Sequence, residues 1–318
     1  MGNEKVEISV VVPFYNEEEN VKELHQRLTA ALAGLKKNYE IIFIDDGSTD
    51  KTYGVIKDLA SADKRLKAIK FKKNFGQTAA IYAGFIAAVG DVIIPMDGDL
   101  QNDPSDIKNL ISKINEGYDI VSGWRKHRKD PFLTRRVPSL IANRMISVVT
   151  GVNLHDYGCT LKAYRKEVVK NIKLYGEMHR FIPAIASWQG ATISEIEVSH
   201  NPRVHGKAKY GMERVLKVVL DLLTIKFFGT FLAKPIYIFG SAGIILTAGS
   251  FATLIAVIIR KAFFGFYIIE SPLTLLSILF LILGVMFILM GIIAEIVVRL
   301  YYSSESRMPF FIKETINL

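Results

Sequence analysis

Asp97 and Asp99 stand one residue apart where the apolar run Asp91-Val-Ile-Ile-Pro-Met96 ends. On a strand, residues i and i+2 point to the same side. Two carboxylates that share a side repel each other unless a cation lies between them. Hard cations such as Mg²⁺ and Mn²⁺ take oxygen ligands, and Mg²⁺ commonly shares them with substrate phosphates. The pattern therefore points to a metal-bridged phosphate site at the carboxyl end of a strand. A bare Asp-x-Asp also suits a solvated acidic turn, so the surrounding elements have to decide.

Those elements alternate. Val6 to Val12 reads as an apolar strand ending in Pro13-Phe14-Tyr15-Asn16-Glu17. Val21, Leu24, Leu28, Ala31, Leu32 and Leu35 then recur at spacings of three and four, the stripe of a core-facing helix. A second strand, Tyr39 to Ile44, ends in Asp45-Asp46-Gly47-Ser48-Thr49-Asp50, where Ser48 or Thr49 could also cap the next helix. A third, Leu66 to Phe71, ends in Lys72-Lys73-Asn74-Phe75-Gly76 and precedes an Ala-rich helix from Gln77 to Ala88. The Asp91–Met96 strand follows, then a helix opening on Pro104 and a fifth strand from Tyr118 to Ser122. This order predicts an α/β fold, a doubly wound and mainly parallel sheet with helices on both faces. In such sheets ligands bind beyond the carboxyl ends of the strands. The polar segments 13–17, 45–50, 72–76 and 97–103 all fall at that edge. No Gly-x-Gly-x-x-Gly follows the first strand and no Walker-type loop occurs, which argues against a dinucleotide or P-loop site.

Half of the 318 residues are hydrophobic, and the excess lies near the C-terminus. Pro235 to Ile259 and Ser271 to Ala294 carry no charge. Each exceeds the roughly 20 residues that cross a bilayer core as a helix. The sequence thus predicts transmembrane helices at 232–260 and 271–298, forming a hairpin, with a cytoplasmic tail at 299–318. No signal peptide is visible, so the domain at 1–206 is expected to stay cytoplasmic, on the inner face of a multi-pass membrane protein. Lys226, Lys234, Arg299, Arg307 and Lys313 flank the cytoplasmic ends, against Arg260 and Lys261 outside. The net charge of +9 is uneven: seven Lys/Arg fall between Arg125 and Arg144, and seven more between Ser199 and Lys234. Two amphipathic basic helices, at 132–150 and 207–231, are expected at the membrane surface beside anionic lipids. Nucleic acid, the other partner of basic patches, does not suit a chain with two spans. Cys159 is the only cysteine, so there is neither a disulfide framework nor a cysteine metal site, and it reads as a small buried hydrophobe.

The strand-end loops, taken in order, resemble those of the GT-A glycosyltransferase fold. The matching residues are Val11 to Glu17, Asp45 to Asp50, Asn74-Phe75-Gly76-Gln77 and Asp97 to Pro104. Asp156-Tyr157-Gly158-Cys159, Arg180-Phe181-Ile182-Pro183 and Arg203 to Tyr210 follow. The chain is similar from residue 8 to about 228 to the family 2 polyprenyl-phosphate glycosyltransferases. These include bacterial undecaprenyl-phosphate glucosyltransferases and dolichyl-phosphate mannose synthases. The two-span end resembles the bacterial glucosyl branch. Processive synthases of the superfamily carry Gln-x-x-Arg-Trp; here the nearby Trp lies in Ala186-Ser187-Trp188-Gln189-Gly190, which argues for a single sugar transfer.

The resemblance implies an inverting, metal-dependent transfer of one hexose from a nucleotide sugar to undecaprenyl phosphate. UDP-glucose is the expected donor and GDP-mannose the alternative; a membrane-tethered nucleotide-sugar binder without turnover is the reading from another class, against which the presence of Asp46, Asp97, Asp99 and Asp156 argues. Asp99, with Asp97, would hold Mg²⁺ or Mn²⁺ on the diphosphate. Asp46 would bind the base, with Pro13, Tyr15 and Glu17 lining the nucleoside pocket and Asp97 reaching ribose or sugar. Asp156 falls where a catalytic base would stand. A lipid phosphate with a second pKa of about 6 needs little deprotonation, so Asp156 could equally orient the acceptor, a cation or the sugar. Arg203, Lys207, Lys209 and Tyr210 would close on phosphates, and Arg180 would meet the acceptor phosphate. His179 and His205 lack metal-ligand spacing and are expected at the polar surface. The resemblance also implies a homotetramer.

Overall fold

The computed structural model describes residues 5–126, 137–174, 176–202, 235–265, 271–303 and 308–318. The first unit takes in the N-terminal part of the chain and its last residues from Met308 on. It begins with β1 (Ile8–Phe14), α1 (Glu18–Ala33), β2 (Tyr39–Asp45), α2 (Thr52–Ala62), β3 (Leu66–Phe71), α3 (Gln77–Ala87) and β4 (Val92–Pro95). A 3₁₀ turn at Pro104–Asp106 leads into α4 (Ile107–Asn115), then β5 (Ile120–Trp124) and α5 (Val137–Thr150). β6 (Lys162–Arg165), α6 (Lys166–Lys170), a 3₁₀ turn at Met178–Phe181, α7 (Ile182–Trp188) and β7 (Ile193–Glu197) follow.

β1 to β4 form because their residues can be buried on both faces, as a parallel sheet under two helical layers requires. Val10, Val12, Phe14, Ile41 and Phe43 meet Val21, Leu24, Leu28 and Leu32 of α1, Ile56 of α2 and Leu110 of α4 on one face. The alternate residues Val11, Ile42 and Ile44 meet Ala80 and Ile81 of α3 and Ile182 of α7 on the other. The eight strands lie in the order β7-β5-β6-β4-β1-β2-β3-β8. β4, β1, β2 and β3 run parallel. The chain crosses to the other side of β1 to place β4, so β1 and β4 flank the topological switch point where such sheets open a binding crevice. β6 runs antiparallel to both β4 and β5, so the sheet is mixed, with its parallel strands at the center.

The last residues, read from sequence only as a tail, form β8 (Ile312–Ile316). It pairs antiparallel with β3 and covers that edge of the sheet. The second unit holds α8 (Ile236–Phe264) and α9 (Pro272–Ser303). Both are long and apolar enough to cross a membrane, over Ile236–Phe263 and Pro272–Val298. Their large side chains, Ile245, Phe251, Leu275 and Ile293 among them, are exposed, unlike those of core helices of a water-soluble domain. The two helices are joined by a buried serine pair: Ser250 Oγ donates to the Ser277 carbonyl at 2.8 Å and Ser277 Oγ to the Ser250 carbonyl at 3.0 Å. Each hydroxyl thus finds a partner where no water is at hand. The expected helix at 207–231 lies outside the described residues, as do 132–136 of the basic helix.

Candidate active site

The carboxyl ends of β1 and β2 come into register with Phe14 opposite Asp45. The loops beyond them are tied together. The Asn16 amide donates to Ser48 Oγ at 3.0 Å, the Thr49 amide to Asn16 Oδ1 at 2.9 Å, and the Glu17 amide to Thr52 Oγ1 at 2.9 Å. Ser48 and Thr49 therefore bind the neighboring loop and do not cap α2, whose first residue Thr52 instead donates its amide to Asp50 Oδ1 at 3.0 Å. Pro13, Tyr15 and Glu17 are half-buried along this joint.

Asp46 is 3% exposed and faces the loop after β3. The Phe75 amide donates to its Oδ1 at 2.7 Å and the Gly76 amide to its Oδ2 at 2.9 Å. Burial pushes the Asp46 carboxyl up to about 6, against the two amides, which favor its charged form. Asp45 beside it is fully buried, and its Oδ2 has no hydrogen-bond partner. Gly47 makes the approach of the two loops possible. Its φ is +70°, and a Cβ there would lie 2.3 Å from the Lys73 carbonyl carbon.

One residue beyond Gly76, Gln77 Nε2 donates to Asp97 Oδ1 at 2.8 Å. A continuous path thus runs from Asp46 through the backbone of residues 75 and 76 to Asp97. Burial, and next the charge of Asp99, push the Asp97 carboxyl up to about 6. Burial beside a second carboxylate disfavors the charged form in this way. Gly98 lets the pair turn here, because a Cβ would lie 2.7 Å from the Phe14 ring and 3.0 Å from the Pro13 carbonyl oxygen. The Gln101 amide donates to Asp99 Oδ1 at 3.2 Å. The donor set fits a hard divalent cation. Among the described residues no group of three or more His, Cys, Asp or Glu could hold a metal, so a cation on this pair would need further ligands such as phosphate or water.

Asp156 is 2% exposed and is gripped by Arg125, with Nε donating to Oδ2 at 2.7 Å and Nη2 to Oδ1 at 3.0 Å. The Arg125 amide at 3.4 Å and the Gly158 amide at 3.1 Å add two further donors. Burial opposes the charge of Arg125, but the Asp156 carboxylate outweighs it and raises the guanidinium pKa. Arg125 is also within electrostatic range of Asp97, as is the buried Lys162. Lys162 donates to the Tyr157 carbonyl at 3.3 Å and to the Cys159 carbonyl, and burial lowers its pKa. Sequence reasoning counted Arg125 only within a basic run and passed over Lys162. The one signal for Lys162 was a lysine opening a short strand whose next two residues, Ala163 and Tyr164, are apolar.

Arg180 shares a small cavity with Tyr157, Thr160, Lys162 and His179. Thr160 bonds the Asp97 side chain, so this cavity adjoins the carboxylate pair. The Arg180 Nε is buried without a hydrogen-bond partner. His179 is not at the surface as expected: it is 8% exposed and its Nδ1 lies 2.7 Å from Thr78 Oγ1. Cys159 is buried, and burial lifts its thiol to about 11, so it is an inert thiol. Arg203, Lys207, Lys209, Tyr210 and His205 lie outside the described residues.

Residues 9–173 match the model of glycosyl transferase family 2. A dodecaprenyl-phosphate galacturonate synthase of Rhizobium johnstonii is 41% identical over 315 residues, covering 98% of this chain and 93% of the relative. An undecaprenyl-phosphate 4-deoxy-4-formamido-L-arabinose transferase of an Enterobacter species is 36% identical over 311 residues, covering 98% and 94%. Among solved structures, the glucosyl-3-phosphoglycerate synthase of Mycobacterium tuberculosis with Mn²⁺, UDP and phosphoglyceric acid aligns with a TM-score of 0.53 at 18% identity. It covers 70% of this chain and 78% of that one, a likeness of fold alone. With its mixed α/β sheet of GT-A type and its full-length relatives, this chain belongs to glycosyl transferase family 2 and is a glycosyltransferase.

Proposed function

We propose that the protein transfers a single sugar from a nucleotide sugar to a polyprenyl phosphate on the cytoplasmic face of the membrane. The observation that carries this reading is a carboxylate pair suited to a divalent cation, in a chain matched end to end by relatives named for polyprenyl-phosphate sugar transfer. A lipid phosphate oxygen attacks the anomeric carbon while the bond from that carbon to the nucleoside diphosphate breaks on the opposite face, inverting the center. Asp97 and Asp99 would hold Mg²⁺ or Mn²⁺, which when bound would supply charge neutralization for the departing diphosphate. Asp46 accepts from the base, and Pro13, Tyr15 and Glu17 line the nucleoside pocket. Arg180, whose Nη2 lies 3.8 Å from Glu177, would meet the acceptor phosphate through its buried Nε. Arg203, Lys207, Lys209 and Tyr210 close over the phosphates, a role that rests on the resemblance.

Asp156 takes a positioning role. A carboxylate that already accepts two bonds from one guanidinium is a poor proton acceptor. It fixes the Arg125 cation beside Asp97, where charge develops.

Membrane contact extends beyond the α8–α9 hairpin. α5 turns its polar side inward: Asn143 Nδ2 donates to the His155 carbonyl at 2.7 Å, and Thr150 Oγ1 lies 3.1 Å from the Tyr157 hydroxyl. Its outward face is mostly apolar, with Leu140 61% and Val148 72% exposed, and carries the exposed Arg144 among them. This inverted pattern suits an element lying in a bilayer surface that includes anionic lipids. A homotetramer is part of the same reading.

The donor is a UDP-sugar. UDP-glucose is the sequence expectation, and the relatives' names add galacturonate and formamido-arabinose. The test is a transfer assay with purified full-length protein, Mn²⁺ or Mg²⁺, undecaprenyl phosphate and labeled UDP-glucose, UDP-galacturonate, UDP-formamido-arabinose and GDP-mannose, with Asp99→Ala in parallel. Lipid-extractable label that vanishes in the variant supports the reaction and identifies the donor. Nucleotide binding without lipid-linked label from any donor overturns it.

A further inference from the structure

The end of the chain is built against the loop that holds Asp46. β8 shifts register between Lys70 and Phe71, and there the tail leaves the regular ladder to run beside residues 71–75. The Lys72 amide donates to the Phe311 carbonyl at 3.0 Å. Phe310 is buried, stacked on Phe71 at 4.9 Å and 15°, and meets the Tyr82 ring edge-on at 6.2 Å. The Phe311 ring is 6.1 Å from that of Phe75, and the Lys72 ammonium is 6.0 Å above it.

Residues 72–74 are otherwise exposed, and a loop of that kind opens readily unless something holds it. Two things hold it. From one side Gly47 lies against the backbone of Lys73 and Asn74. From the other side the tail packs on Phe75. Farther along, the strand is itself fastened: Asn317 Nδ2 donates to the Ala60 and Leu66 carbonyls at 2.7 and 2.8 Å. Phe75 and Gly76, between these supports, present the amides that fix both oxygens of Asp46.

We propose that Phe310 and Phe311 are positioning residues of the nucleotide site, clamping the 72–76 loop so that Asp46 is set for the base. The inference rests on the nucleotide role given to Asp46 above. It makes the segment that follows the apolar hairpin a working part of donor binding.

The test compares full-length wild type, Phe310→Ala, Phe311→Ala, Phe311→Tyr and Glu314→Gln. UDP and GDP binding is measured by calorimetry, hydrogen exchange over residues 72–77 by mass spectrometry, and KM and kcat by sugar transfer. Phe311 carries an exposed ring, so its truncation keeps the test valid if Phe310→Ala fails to fold. Both alanine variants are expected to exchange faster at 72–77 and to bind UDP about tenfold more weakly, the scale of one lost ordering contact. Their KM for the donor rises with kcat at saturation within about twofold. Phe311→Tyr restores binding, and Glu314→Gln, which touches no loop residue, binds as wild type does. Unchanged UDP affinity and exchange in Phe311→Ala would overturn the clamp while leaving the nucleotide site standing. A wild type that binds neither UDP nor GDP would overturn both.

Discussion

Replacing Asp156 by Asn tests whether this carboxylate works through Arg125 or on its own. The side chains of Arg125 and Asp156 are 11% and 3% exposed, and they share two short bonds. Removing one member of such a pair leaves an uncompensated buried charge, a loss of about 3–5 kcal/mol. A folding unit of this size loses roughly 2–4 °C per kcal/mol, so Asp156→Asn and Arg125→Met should each melt about 6–20 °C lower. The double variant removes both charges and should melt higher than the sum of the single losses implies. Thermal unfolding of the full-length protein in detergent measures this. The transfer assay supplies the functional half. A positioning role predicts that Arg125→Met loses as much kcat as Asp156→Asn. A general base contributes about 10²–10⁴-fold and would survive the loss of Arg125, since its oxygens would be freed. Arg125→Met with kcat within about threefold of wild type, beside an inactive Asp156→Asn, would refute the reasoning.

Gly98→Ala must displace Phe14 or the Pro13 carbonyl, which lie 2.7 and 3.0 Å from the new Cβ. The strain of about 1–3 kcal/mol should lower the melting temperature by several degrees and the transfer rate with it, because the Asp97–Asp99 turn moves. Chelation should abolish transfer, with activity returning on added Mn²⁺ or Mg²⁺; activity that persists in excess EDTA would contradict a metal held by Asp97 and Asp99. For Asp46 the folded carboxyl titrates at about 6 against a reference of 3.8. A raised acid pKa means the folded state takes the proton more readily, so this group favors folding most at low pH and its contribution is lost as pH rises through about 6. Binding runs the other way. UDP affinity should fall below pH about 6 by up to tenfold per unit as the anionic acceptor disappears, and Asp46→Asn should remove that limb.

What could be read directly from the chain was whatever depends on neighbors in sequence. β1 to β4 were legible because strands buried on both faces must be continuous apolar runs, and the polar segments that follow them could only be edge loops. The two long apolar helices were legible for the same reason, since an unbroken apolar stretch long enough to cross a bilayer shows in the sequence itself. The Asp97–Asp99 pair was legible because strand geometry fixes the relation of residues two apart. β7 and β8 were not legible. They are short edge strands carrying Glu195, Glu197, Lys313 and Glu314, and half-exposed strands of this kind have no hydrophobic signature. Ser48 and Thr49 were drawn from the expected helix cap to Asn16, a partner 32 and 33 residues away in the chain.

The ion pair that defines Asp156 joins residues 31 apart, and the amides that fix Asp46 come from 29 and 30 residues on. Such contacts follow from how the crossovers order the strands. Local propensity carries no record of that order, because long-range pairing is decided by which faces can be buried together. The sequence by itself therefore determined the layered sheet, the two long apolar helices and the edge where the acids collect. Only the tertiary structure decided which cation holds which acid, and that the tail returns to pack against residues 71–75.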